Sequence, residues 1–81
     1  MQIPIIKNLV ETRSVEELTQ AEEALMEEQP LPFEIEGEDD GEVLTHIMAA
    51  IWILERMESH ELPFAKALRE YTQKVRTSIS S

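Results

Sequence analysis

The side chains with the most chemical capacity sit close together. They are the acidic stretch Glu36-Gly37-Glu38-Asp39-Asp40-Gly41-Glu42, followed four residues later by His46. Dense carboxylate oxygens are the ligands that a hard cation such as calcium takes. With Glu36, Glu38 and Asp40 at loop positions one, three and five, Gly41 falls at the required sixth position. The twelfth position must supply a bidentate glutamate, but it is Ile47, where an apolar helix has already begun. The stretch therefore reads first as a solvated loop that caps a helix. Divalent-cation or small-ligand binding by residues 36–42 is the alternative.

Glu42 and His46 are four apart, share a helix face, and form one half of a metal pair. Di-iron bundles need a glutamate three residues before a histidine, twice over, and neither His46 nor His60 has one. His46 shares its face with Ala50, Ile53 and Met57, which makes it a hydrogen-bonded histidine at the margin of a core. His60, in Ser59-His60-Glu61, reads as exposed. No serine lies in a nucleophile-elbow sequence. Two glycines set four residues apart cannot build a phosphate-cradling loop. Scattered carboxylates do acid–base work only in a pocket that shifts their proton affinity, and so small a domain rarely encloses one. Trp52 and Met48 are candidate walls for a ligand cleft, although an apolar stripe on a buried helix is first of all core. No catalytic residue, cofactor or metal ligand is assigned, and the chain reads as a non-enzyme.

The elements that position these residues are helical. Ile5, Ile6, Leu9 and Val10 fit one face of a short helix over Ile3–Val10 with Pro4 in its first turn. A short strand competes there, since Ile and Val also favour sheets. Ser14-Val15-Glu16-Glu17 is a capping box that opens a second helix. Its apolar face is Val15, Leu18, Ala21 and Leu25, and it is expected to end at Pro30. Phe33 and Ile35 alternate with Glu34 and Glu36 in an extended connector or single edge strand, and should pin it to the core. Asp39 or Asp40 caps a third helix from about Gly41 to Glu58. Its middle, Ile47–Leu54, is apolar on every face and so needs cover all round. A fourth helix from Pro63 carries a seam of Phe64, Leu68, Tyr71, Val75 and Ile79. The expected fold is all-α: one domain, residues 1–81, a small bundle of three to four helices with a short extended connector between the second and third.

With 81 residues and no cysteine, the chain has room for one small core and no disulfide to reinforce it. Seventeen acids against seven bases give a net charge of −10, which argues against nucleic-acid binding. The longest apolar run, eight residues, is too short to span a bilayer, which argues against direct membrane insertion. The first residues lack a signal peptide's basic start, so a cytoplasmic location is expected. Charge is unevenly placed: residues 11–42 carry −12, from thirteen acids and one base, and residues 62–81 carry +3. Lys66, Arg69, Lys74 and Arg76 are therefore expected beside the acidic second helix, near Glu23, Glu27 and Glu28, or beside that helix in a second copy.

Three short segments carry a resemblance: Ile3-Pro4-Ile5-Ile6-Lys7-Asn8-Leu9, the helix start at Gly41-Glu42, and Val75-Arg76-Thr77-Ser78-Ile79. Together they resemble a family of small, acidic, uncharacterised bacterial proteins about 80 residues long, a domain of unknown function. The resemblance implies a compact helical protein without established catalysis and assigns no site residue.

An all-apolar central helix in so small a domain leaves surplus apolar surface, and such surface marks protein contacts. The expected function is a non-enzymatic interaction module, either a homo-oligomer or an accessory subunit of a larger complex. Its expected interface residues are Ile47, Ile51, Trp52 and Ile53 on the central helix, with Lys74 and Arg76 on the basic tail.

Overall fold

The computed structural model describes the backbone of residues 2–80 and the side chains of residues 2–77. Among the described residues it contains four helices and no strand: α1 (Ile3–Thr12), α2 (Val15–Met26), α3 (Asp40–His60) and α4 (Phe64–Ser80). The all-α bundle is as expected, and the first segment is a helix rather than a strand.

In α1, Pro4 occupies the first turn, where its missing N–H leaves no bond unmade. The Gln2 carbonyl accepts from the N–H groups of Ile5 and Ile6 at 3.1 and 3.2 Å. Ile6, Leu9 and Val10, spaced three and one, bury the inner face. Arg13 and Ser14 are extended and turn the chain directly into α2. There the capping box forms in full: Ser14 Oγ accepts from the Glu17 N–H at 3.2 Å, and Glu17 Oε1 accepts from the Ser14 N–H at 3.0 Å.

The second helix stops at Met26, four residues short of Pro30. A left-handed residue ends it before the proline can, since Glu28 has φ 58°. The N–H groups of Glu28 and Gln29 then return to the carbonyls of Leu25 and Ala24 at 3.2 and 2.8 Å. This double bond is the Schellman arrangement, with a glutamate where glycine is usual. The connector over residues 27–39 is irregular rather than strand-like. Ile35 is buried, and Leu31 and Phe33 are half-buried against the core, so the pinning role expected of Phe33 and Ile35 holds. The Arg13 guanidinium sits 3.9 Å from the Phe33 ring centroid and covers its outer face.

Asp39 caps α3, its Oδ1 accepting from the Glu42 N–H at 2.8 Å. Gly37 makes the close approach at this entry possible, because a Cβ there would lie 2.6 Å from Val43 Cγ2. The helix runs to His60 and ends on a second left-handed glutamate, Glu61, φ 51°. α1, α2 and α4 each pack on α3, while the outer helices barely touch one another.

The seam of α4 differs from the expected one in a single respect. Phe64, Leu68 and Tyr71 are half-buried against the core as expected, but the fully buried residue is Ala67. A small side chain at that point lets two helix backbones come close. Val75 is half-buried, and the side chain of Ile79 lies outside the described residues.

Candidate functional site

His46 is the buried polar residue of the core, and both of its ring nitrogens are engaged. Nε2 accepts the backbone N–H of Gln2 at 3.1 Å, and Nδ1 lies 3.0 Å from the Glu36 carbonyl oxygen. A main-chain N–H can only donate and a carbonyl can only accept, so the proton sits on Nδ1. Glu42 Oε1 is 3.9 Å from Nε2 and accepts instead from the Gln2 side-chain amide at 3.3 Å. These partners make His46 a structural tie between the start of α1, the connector and α3. His60 is exposed, within hydrogen-bond reach of Ser59 and Arg56.

The acidic loop 36–42 is solvent-exposed apart from Glu42, which is half-buried. Asp39 is used as the cap of α3. Among the described residues, no three His, Cys, Asp or Glu side chains converge as metal ligands.

An ion pair joins α3 to α4, with the base on α3 and the acid on α4. Arg56 of α3 donates from Nε to Glu70 Oε1 of α4 at 2.6 Å. This hydrogen bond holds the Glu70 carboxyl below the usual carboxylate range. Within the chain the basic helix lies against α3 and not beside α2, which corrects the first of the two expected placements. The reason is apolar: Ala67, Leu68 and Tyr71 fix the position of α4, and surface charges are worth too little to override them. One turn from the ion pair, the Trp52 and Tyr71 rings meet at 5.6 Å between centroids, inclined by 53°. Burial there pushes the Tyr71 hydroxyl up.

The expected interface residues divide three ways. Ile47 and Ile53 are 0% exposed, enclosed by the chain's own helices. That corrects their assignment to an external contact, since a partner would have to unpack the core to reach them. Ile51 and Trp52 are half-buried. They line an open groove between α2 and α3 with Met48, Thr19, Glu22 and Glu55. Lys74 and Arg76 are exposed on α4 and lie outside the lining of this groove.

Met48 is the notable member, 50% exposed in the middle of the apolar run. Its helix neighbours Ile47 and Ala49 are fully buried, so cover fails along one line of α3 only. Sequence reasoning named Met48 and Trp52 as cleft walls but missed Thr19, Glu22 and Glu55. The available signal was weak: Thr19 and Glu22 flank the buried Leu18 and Ala21 on α2. A second open recess, between α1 and the connector, is lined by Pro4, Ile5, Asn8, Leu9 and residues 34–36. It brings no set of reactive groups together.

A family model described as a family of unknown function (DUF6952) matches residues 1–80. The chain belongs to that family. The match covers nearly the whole domain, and with it all four helices, both acidic walls of the groove and His46. No curated protein and no solved structure matches the chain. Among the described residues, no helix is long and apolar enough to cross a membrane.

Proposed function

We propose that the chain is a non-enzymatic docking module, a small accessory subunit that meets another protein in the cytoplasm through the α2–α3 groove. The observation that carries this reading is the half-exposed Met48 flanked by the half-covered Ile51 and Trp52. A Met side chain gains free energy when water is removed from it, and its flexible thioether adapts to many partner surfaces. Met26, 71% exposed and one helical turn beyond Glu22 on α2, extends the apolar surface on the same helix face. The charged groups that line the groove, Glu22 and Glu55, stand on opposite walls with the apolar floor between them, which suits a binding surface better than a reaction centre.

The test is site-specific photo-crosslinking in cells that make this chain naturally. A benzophenone amino acid replaces Met48, and in a control it replaces Glu34 on the connector. Adducts of discrete mass at position 48, without counterparts at position 34, support the reading. Their absence overturns it. An adduct of twice the monomer mass identifies the partner as a second copy.

A further inference from the structure

We infer that the α2–α3 groove receives a basic amphipathic helix from a different protein; this rests on the docking reading above and names the partner's chemistry. The groove has an apolar floor of Met48, Ile51 and Trp52 and a carboxylate on either wall, Glu22 from α2 and Glu55 from α3. No base lines it. The wall on α2 belongs to the stretch of residues 11–42, which carries thirteen acids and one base. An amphipathic helix places apolar side chains at i, i+3 and i+7, the pattern that fills a groove between two helices. Lysines or arginines flanking that stripe would meet Glu22 and Glu55, and their long apolar stems would cover the groove edges.

The same charges select against the other occupants. In a two-fold dimer through this face each groove meets its own copy. Glu22 and Glu55 of one chain would then oppose those of the other as water is excluded, between molecules that each carry −10. An acidic partner helix and an anionic membrane surface meet the same repulsion.

Trp52 is the single tryptophan, so its fluorescence reports on the groove without a label. The full chain is titrated with three synthetic peptides. One is helical with leucines at i, i+3 and i+7 and lysines on both flanks. The second replaces the lysines with glutamates. The third scrambles the first, keeping its charge and losing its stripe. The expected result is a saturable, salt-weakened shift of Trp52 emission with the first peptide alone. The variant Glu22→Lys/Glu55→Lys should weaken that binding by about tenfold or more. The control Glu34→Lys/Glu38→Lys makes the same change of net charge away from the groove and should weaken it less than about threefold.

Equal binding of the scrambled peptide, or equal losses in the two variants, means general attraction to an acidic protein and overturns the inference. So does binding of the glutamate peptide. Circular dichroism of each variant confirms that it is folded before titration. The two proposals fail separately. Crosslinks at position 48 combined with no response to the basic peptide leave the docking reading standing and remove this one.

Discussion

The backbone N–H of Gln2, at the surface, and the buried imidazole of His46, forty-four positions apart, share a hydrogen bond of 3.1 Å at the edge of a core whose buried side chains are otherwise aliphatic. The bond fixes the start of α1 to α3 and dictates the imidazole tautomer. Replacing His46 by alanine strands the Gln2 N–H and the Glu36 carbonyl and leaves a void. The expected loss is about 2–4 kcal/mol, measured by urea unfolding. In the wild type, nitrogen chemical shifts should show Nδ1 protonated and Nε2 bare. Shifts of the other tautomer would contradict the assignment.

Gly37→Ala tests the connector. The added methyl meets Val43 Cγ2 at 2.6 Å, with the Val43 backbone N at 3.1 Å behind it. A buried β-branched side chain has few rotamers to retreat into. We expect a loss of about 1–3 kcal/mol from overpacking, read as a lower melting temperature. An unchanged melting temperature would mean that the connector moves away at no cost.

Glu28 and Glu61 hold left-handed backbone, which glycine adopts more easily. Glu28→Gly and Glu61→Gly should each stabilise the fold by about 0.5–1 kcal/mol. Glu28→Ala and Glu61→Ala remove the same charge but keep a Cβ. If the alanine variants gain as much as the glycine ones, charge relief is the cause and backbone strain is not.

Acid should weaken the fold through two named carboxylates. The Ser14 backbone N–H, ahead of Arg13, holds Glu17 below its ordinary 4.5, and the Arg56 hydrogen bond does the same for Glu70. A depressed carboxyl favours the folded state at pH above its unfolded value, and that contribution disappears as pH falls through the folded value. The wild type should therefore lose denaturant resistance as pH drops below 4.5. Glu17→Gln/Glu70→Gln should lose less over the same interval, since both groups then carry no proton-linked charge. Parallel curves for the two proteins would remove these residues from the acid response.

The groove and the core on α3 separate by mutation. Ile53→Ala, in the enclosed face, should cost about 2–5 kcal/mol. Met48→Ala, half in solvent, should change stability by no more than about 0.5 kcal/mol.

The parts legible in the sequence were those set by neighbours within one helical turn. Ser14 with Glu17 gave the start of α2, Asp39 the start of α3, and the spacing of Ile6, Leu9 and Val10 the inner face of α1. His46 was placed at the core margin because its face was apolar. Where partners came from afar, local pattern failed. An eight-residue run apolar on every face cannot say which side its neighbours leave open, so Ile47 and Ile53 were assigned to an interface alongside Ile51 and Trp52. The end of α2 was missed because a glutamate, unlike a glycine, gives no sign that it will turn left-handed. Ala67 was overlooked because seams are sought among large residues, whereas closest approach favours small ones.

The arrangement of α1, α2 and α4 around α3 bears on how the chain is made. Synthesis proceeds from the N-terminus, so α1 and α2 emerge before the element against which both of them pack. Helices of ten and twelve residues are too short to hold in water by themselves. The first half of the nascent chain therefore lacks the surface it packs on until α3 has left the ribosome. It is α3 that then gives shape to the two helices made before it.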